Sequence, residues 1–122
     1  MLDGRIIDDG IAPPAAGANV VIEWAPFRLA PGVAEATLLE ASEALQRDFL
    51  SHQPGFLRRE LLRGKGGEWV DVVYWESEGA ADAVMQDAAS SGVCHAYFHL
   101  MDGADAANPG AGVLHFRRVR VY

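Results

Sequence analysis

Cysteine is nearly absent from this sequence, since Cys94 is the single one in 122 residues. An internal disulfide cannot form, and a zinc site built on cysteines is excluded. Long hydrophobic runs are also missing, and no stretch approaches the length of a membrane span. Charged residues such as Asp3 and Arg5 flank the short pair Ile6 and Ile7, so no signal-peptide core is predicted. We therefore expect a cytoplasmic protein.

Basic residues are scarce relative to acidic ones. Ten Lys and Arg stand against 17 Asp and Glu, which gives a net charge of −7. Duplex nucleic acids and anionic membranes both require a basic surface, so neither is an expected partner. Arg117, Arg118 and Arg120 cluster near the C-terminus. We interpret them as a solvated face or as ion-pair partners.

The hydrophobic content, 50% of the residues, is that of an ordinary globular protein, and the length fits one domain. Residues 1–18 end in Ile-Ala-Pro-Pro-Ala-Ala-Gly-Ala, a run too rich in proline and small residues to build a core. We predict a flexible N-terminal arm over residues 1–18 and a folded domain over residues 19–122.

The pattern of apolar residues predicts a βαββααβ order of elements. Pro54 and Gly55 end the first predicted helix, and Ser77 is placed to cap the second. This order is that of a ferredoxin-like α+β fold, an antiparallel sheet with helices on one face. The predicted elements are strand Asn19–Phe27, helix Val33–His52, strands Phe56–Arg63 and Trp69–Trp75, helices Ala80–Ala89 and Val93–Met101, and strand Val113–Tyr122.

The second and third strands flank a glycine-rich loop at residues 64–67, which predicts a β-hairpin. One register would oppose Glu60 to Asp71, a repulsive pair. A shift by one residue places Arg59 opposite Asp71 and Leu61 opposite Trp69. We predict this second register, with Arg59 and Asp71 together on the helix-covered face beside Trp75.

Both faces of this hairpin are apolar, although helices can cover only one of them. The uncovered face would expose too much apolar surface for a monomer. A homodimer formed through the sheet face is therefore predicted. The predicted faces consist of Leu57, Leu61, Trp69, Val73 and Trp75 on one side and Val70, Val72 and Tyr74 on the other.

Short motifs occur along the chain: Pro31-Gly32, Gln53-Pro54-Gly55-Phe56, Trp69-x-Asp71, Trp75-x-Ser77, Tyr97-Phe98 and Leu100-Met101-Asp102. They resemble those of antibiotic-biosynthesis-monooxygenase-like domains, and the resemblance covers roughly Asn19 to Tyr122. The resemblance implies a dimeric α+β barrel. It also implies a cofactor-independent monooxygenase that acts on, or binds, a small aromatic molecule in a cavity between sheet and helices.

The same superfamily contains haem-degrading enzymes, which use an asparagine on the first strand, a tryptophan in the helix after the third strand and a later histidine. Here Glu23 or Trp24 occupies the first position, and residues 81–85 contain no tryptophan. His95 lies near the required histidine, with Tyr97 as an alternative match. The resemblance therefore implies no haem, and we expect no flavin and no tightly held metal either.

Arg59, Asp71 and His115 are the candidate catalytic residues. The Arg59–Asp71 pair could orient a phenolate or a carboxylate, while His115 could act as a general acid or base. A structural ion pair and a partly exposed histidine are the alternative interpretations. His95 and His99 are spaced to share a helix face, but this spacing alone predicts no metal site.

Aromatic side chains concentrate on the predicted sheet, where they could stack on a flat substrate and exclude water. Core and dimer packing is the alternative explanation. The candidate substrate-binding residues are Trp24, Phe56, Trp69, Trp75, His95 and Tyr97.

Three functions remain open at this point: the monooxygenase, a non-catalytic dimeric ligand-binding module, and an isomerase or lyase on the same scaffold. A water-excluding cavity with charged groups would favour either enzyme. If leucine and tryptophan side chains fill the space between the sheet and the helices, the binding module is favoured.

Overall fold

The computed structural model describes residues 19–105 and 107–122, so the predicted arm at residues 1–18 lies outside the described residues. The described residues form one four-stranded antiparallel sheet and three α-helices, which confirms the predicted ferredoxin-like fold. The elements are β1 (Val21–Arg28), α1 (Glu35–Asp48), a 3-10 turn (Leu50–His52), β2 (Phe56–Arg63), β3 (Glu68–Trp75), α2 (Glu78–Ala89), α3 (Gly92–Phe98) and β4 (Leu114–Arg117).

The strands are arranged in the order β2-β3-β1-β4, so β1 and β3 form the centre of the sheet. Strand β4 is shorter than predicted because it pairs with only the first four residues of β1. Arg118 still donates its backbone N–H to the carbonyl oxygen of Val20, at 2.9 Å. Beyond that bond the predicted strand does not continue, and Val119 and Tyr122 are fully or almost fully exposed.

Helix α1 covers the sheet with one side, formed by Leu38, Ser42 and Leu45. Ala34 and His52, near the two ends of the predicted helix Val33–His52, are exposed. The α-helix ends at Asp48, and the chain tightens into the 3-10 turn, which turns His52 toward solvent. Helix α2 begins as predicted at the cap residue Ser77, whose hydroxyl oxygen accepts the N–H of Ala80 at 3.1 Å.

The hairpin register differs from the prediction by two residues. Leu61, not Arg59, lies opposite Asp71, and Arg59 lies opposite Val73. A two-residue shift leaves every side chain on its predicted face, because side chains alternate with a period of two. An irregularity in the pairing after Phe56 removes Leu57 from this alternation. Leu57 is 38% exposed, so its predicted place on the helix-covered face is wrong.

The hydrophobic core lies between the sheet and the helices. Trp75 and Leu38 have no exposed surface, and Cys94 and Tyr97 on α3 have almost none. Phe56 packs edge-on against Trp75, with ring centroids 5.9 Å apart. These contacts fix the helices over the strand positions that form the floor of the site described below.

The opposite face of the sheet carries side chains from all four strands and retains exposed apolar surface. The register places Trp24 between Val72 and Leu114 on this face. Trp24 is 36% exposed and Phe116 on β4 is 52% exposed. No helix in the described part of the chain is long and apolar enough to cross a membrane.

Candidate functional site

A cavity of about 210 Å³ lies between the central strands and the helices. Its floor comes from β1 and β3, which contribute Glu23 and Asp71. Helices α2 and α3 contribute Met85 and Phe98, and the loop before β4 contributes Pro109. The lining is mostly apolar, with a few polar side chains, and this is the usual composition of a small-molecule site.

Asp71 is buried in the floor and is held by three hydrogen bonds from two partners. The Arg59 guanidinium donates through Nε to Oδ1 at 2.8 Å and through a terminal nitrogen to Oδ2 at 2.9 Å. The Tyr97 hydroxyl donates to Oδ2 at 2.7 Å. Arg59 also donates to the carbonyl oxygen and the hydroxyl of Ser42, at 3.1 and 2.8 Å. This bidentate arrangement confirms that Arg59 and Asp71 share the helix-covered face.

The network keeps Arg59 and Tyr97 in fixed protonation states. Burial on its own would lower the pKa of Arg59, but the hydrogen bond and charge of Asp71 reverse the effect and raise it. Burial and the neighbouring charge of Asp71 raise the pKa of the Tyr97 phenol. Tyr97 therefore remains a neutral phenol at physiological pH, and Arg59 remains a cation. Arg59 lies behind Asp71 and is not among the residues that line the cavity.

Glu23 differs from Asp71 because, among residues 19–105 and 107–122, no cation forms an ion pair with it. The indole N–H of Trp75 donates to Oε1 of Glu23 at 3.0 Å. Burial, with a smaller contribution from the charge of Asp71, raises the pKa of Glu23 to about 7. A carboxyl group with this pKa is present in both protonation states near neutrality. It can therefore accept or donate a proton in the cavity.

Glu23 was not among the residues predicted for the site. The signal lay in the alternation of β1, where Val21, Ala25 and Phe27 form the inward-facing side together with Glu23. A carboxylate between apolar inward positions is unusual, because an unpaired buried charge is costly. The sequence showed the alternation but not which side of the strand faces the cavity.

Two of the predicted aromatic residues, Trp75 and Tyr97, line the cavity, and the others do not. Trp24 lies on the opposite face of the sheet, so its predicted role in the sheet–helix cavity is wrong. Trp69 is buried against Phe27, with ring centroids 6.4 Å apart, and is a core residue. Phe56 packs behind Trp75 and likewise serves the core.

The predicted histidines lie away from the cavity. His115 is opposite Glu23 in the register of β4, but its side chain is exposed at the sheet edge and is not part of the lining. Nε2 of His95 lies 2.7 Å from the carbonyl oxygen of Ala89, and His99 is exposed. Within residues 19–105 and 107–122, no group of three or more His, Cys, Asp and Glu side chains is placed to hold a metal ion.

Cys94 lines the cavity but is a poor nucleophile. It is a free, buried cysteine, and burial raises the pKa of its thiol. A thiol of this kind contributes apolar surface to the wall rather than a reactive thiolate.

The fold and the cavity define a class of protein: a small α+β domain with a cavity between an antiparallel sheet and its helices. The family model for antibiotic biosynthesis monooxygenase matches residues 21–95, which is more than half of the chain. The chain belongs to this family.

Solved structures of low sequence identity share the fold. SnoaB, a cofactor-independent oxygenase from Streptomyces nogalater, is 19% identical with a TM-score of 0.63, over 85% of this chain and 97% of that one. A conserved protein from Methanosarcina mazei is 12% identical with a TM-score of 0.62, over 86% and 98%. A haem-degrading protein from Mycobacterium tuberculosis is 22% identical with a TM-score of 0.51, over 84% and 98%. No curated protein matches the chain.

Proposed function

We propose that this protein is a cofactor-independent monooxygenase that oxidises a small phenolic molecule in the sheet–helix cavity, with Glu23 as the general base. The observation that carries the proposal is the carboxyl group of Glu23, whose pKa is raised to about 7 in an otherwise largely apolar cavity. The family and the similarity to a cofactor-independent oxygenase support the reaction type.

Glu23 suits the role of base better than Asp71 does. Both oxygens of Asp71 already accept hydrogen bonds from Arg59 and Tyr97. Removing a proton from a substrate would require Asp71 to give up a strong bond. We therefore assign Arg59 and Asp71 a positioning role: they fix the floor of the cavity and anchor Tyr97. In the part of the chain that the structure describes, Glu23 accepts a hydrogen bond from the neutral indole of Trp75, which orients its carboxylate without neutralising it.

The proposed reaction begins when the Glu23 carboxylate accepts the phenolic proton. The phenolate transfers one electron to O₂, and the two radicals combine to form a carbon–oxygen bond at a ring carbon. Glu23 returns its proton to the peroxide. The O–O bond then breaks as the same ring carbon loses its hydrogen as a proton, and water leaves. One oxygen atom becomes a carbonyl group and the other becomes water, so that one O₂ is consumed for each phenol converted to a quinone.

The test is the pH dependence of O₂ consumption with a phenolic substrate. The wild-type rate should rise as the pH increases through about 7, because the base is then ionised. Glu23→Gln should lose at least about 100-fold in kcat, the lower end of what general base catalysis contributes. Glu40→Gln, the same chemical change on the exposed side of α1, is the matched control and should leave the rate unchanged. A Glu23→Gln variant with wild-type activity would overturn the proposal.

The other two functions give different results in the same assay. An isomerase or lyase could use the same Glu23 to move a proton, but it would work equally well without oxygen. A non-catalytic module would bind ligand without turnover. Product formation that requires O₂, with no added metal or flavin, is the result that supports the monooxygenase.

The proposal includes a homodimer formed through the outer face of the sheet. Exposed apolar residues from three strands, Trp24, Leu62, Leu114 and Phe116, support it. Apolar patches of this kind on a sheet mark interaction surfaces.

A further inference from the structure

One wall of the cavity consists of a short loop segment rather than a helix or a strand. Residues 107–113, here called the flap, lead into β4, and none of them is buried. A segment that buries little apolar surface gains little free energy from its position. Such a segment opens at a lower cost than a packed helix or strand does. The flap residues that line the cavity are Pro109, Ala111, Gly112 and Val113.

The hydrogen bonds of the flap are local. The N–H groups of Asn108, Ala111 and Val113 each donate to the carbonyl oxygen three residues earlier, at 2.9, 3.0 and 3.2 Å. These bonds close turns within the loop and bind the flap to no other element. The flap approaches α2 at Gly110, where a Cβ atom would lie 3.9 Å from the sulfur of Met85, an ordinary van der Waals distance. The flap can therefore move away from α2 without breaking any of these bonds.

The other walls of the cavity are held more firmly. In the first part of the same loop, the Asp102 N–H donates to the carbonyl oxygen of Arg28 at 2.8 Å, and Met101 forms a β-bridge with Leu29. Helix α2 is anchored by core residues such as Val84, which is 4% exposed. Strands β1 and β3 are paired on both sides in the centre of the sheet. The flap is therefore the wall that can move at the lowest cost.

We infer that the flap opens as a unit and is the entrance through which a ligand reaches the cavity, with Gly112 as its hinge. Gly112 has a φ of +77°, so a left-handed backbone conformation stands close to the junction with β4. Lids of this kind turn on a few residues that absorb the change in backbone angles. The inference rests on the proposed function only for the identity of the ligand, because the opening is measured without one.

The experiment measures how fast the Cys94 thiol of the whole chain reacts with 4,4′-dithiodipyridine, an uncharged aromatic disulfide. Cys94 is the single cysteine and lines the cavity. The cavity is partly open to solvent, but Cys94 is only 1% exposed, so the reagent reaches its sulfur only after a wall moves. Where the rate is first order in reagent, it is proportional to the fraction of molecules that are open.

The dependence of this rate on urea distinguishes flap opening from unfolding of the whole chain. Opening the flap exposes little surface, so the wild-type rate should hardly change between 0 and about 1 M urea. A steep rise from the lowest urea concentration would assign the reaction to global unfolding and overturn the inference.

Gly112→Ala should accelerate the reaction of Cys94 by about 5- to 30-fold, because opening relieves the left-handed strain of an L-residue. A Cβ atom at Gly112 has no neighbour within 4 Å among the described residues, so strain is the only cost. Gly32→Ala is the matched control, since Gly32 has a φ of +84° and equally open surroundings but does not line the cavity. It should leave the rate unchanged. Equal acceleration by both variants, or none by Gly112→Ala, would contradict the flap.

A second variant tests the flap without backbone strain. Pro109→Ala gives the open flap more conformational freedom, so Cys94 should react about two- to fivefold faster than in the wild type. Pro31→Ala, the same change in the connection between β1 and α1, is its control and should have no effect. Thermal melts verify that each variant folds. A folded Pro109→Ala variant that reacts at the wild-type rate would also overturn the inference.

Oxygen consumption separates the flap from the proposed reaction. Faster reaction of Cys94 in the flap variants, together with no O₂ consumption by the wild type on phenols, would contradict the monooxygenase and support the flap. O₂ consumption that depends on Glu23, with no acceleration of the Cys94 reaction in either flap variant, would contradict the flap and support the monooxygenase.

Discussion

Glu23 links the chemistry of the cavity to the stability of the fold. The folded chain retains the Glu23 proton up to about pH 7, while the unfolded chain releases it near pH 4.5. Between these values the folded state binds more protons than the unfolded state. Stability therefore falls as the pH rises from 4.5 through 7, by at most about 3 kcal/mol at 1.36 kcal/mol per pKa unit.

Glu23→Gln should remove this pH-dependent loss of stability. At about pH 8.5 the variant should be more stable than the wild type by up to about 3 kcal/mol, because a neutral amide replaces a buried anion. At about pH 5 the difference should be small, since the carboxyl group of the folded wild type is then neutral. Urea denaturation at both pH values measures this. A gain in stability of the same size at both pH values would show that the ionisation of Glu23 does not cause it.

Arg59 and Asp71 should depend on each other for their effect on stability. Arg59→Leu or Asp71→Leu alone leaves one buried charge unpaired and should cost about 3–5 kcal/mol. The double variant should cost less than the sum of the two single ones. It leaves the Tyr97 hydroxyl without its carboxylate acceptor, which adds about 1–3 kcal/mol. Denaturant melts of the three variants form a double-mutant cycle, and additive losses would contradict the pairing.

At the scale of elements, the connection between the 3-10 turn and β2 depends on Gly55. Its φ is +81°, and a Cβ atom built there would lie 2.6 Å from Cβ of Ala80 on α2. Gly32 has a similar φ of +84°, but a Cβ atom at that position would have no neighbour within 4 Å among the described residues. Comparing the same substitution at the two glycines therefore distinguishes the cost of backbone strain from the cost of the steric contact.

We predict that Gly32→Ala costs roughly 1–2 kcal/mol, the penalty of left-handed backbone for an L-residue. Gly55→Ala should cost at least about 1 kcal/mol more, because α2 must also move away from the turn. The free energies of unfolding from urea melts give the comparison. Equal losses at the two positions would mean that the contact with Ala80 is relieved without cost.

At the scale of the whole molecule, we predict a homodimer with a mass twice the 13.1 kDa of the chain. A specific interface should bury roughly 1,200 Å² or more in total. Phe116→Lys places a charge on the outer sheet face and should shift the protein toward monomer in analytical ultracentrifugation. Leu39→Lys, at an exposed leucine on α1, is the control and should leave the mass unchanged. A monomeric wild type at micromolar concentration would contradict the prediction.

The sequence by itself determined the helices and strands, their order, and the face of the sheet on which most side chains of each strand lie. Those properties follow from the local spacing of apolar and charged residues, which is why Arg59 and Asp71 were correctly placed on one face. Even with the register wrong by two residues, the period of two kept them together.

Only the tertiary structure decided which residues meet in the cavity. The position of Glu23 depends on strands β1 and β3, which are distant in sequence, and on the helices that cover them. Burial raises its pKa, and burial is a property of the packed molecule rather than of the strand. For the same reason Trp24 and His115, equally plausible from local pattern, proved to lie outside the cavity. Trp24 lies on the outer face of the sheet, and His115, although opposite Glu23, is exposed at the sheet edge.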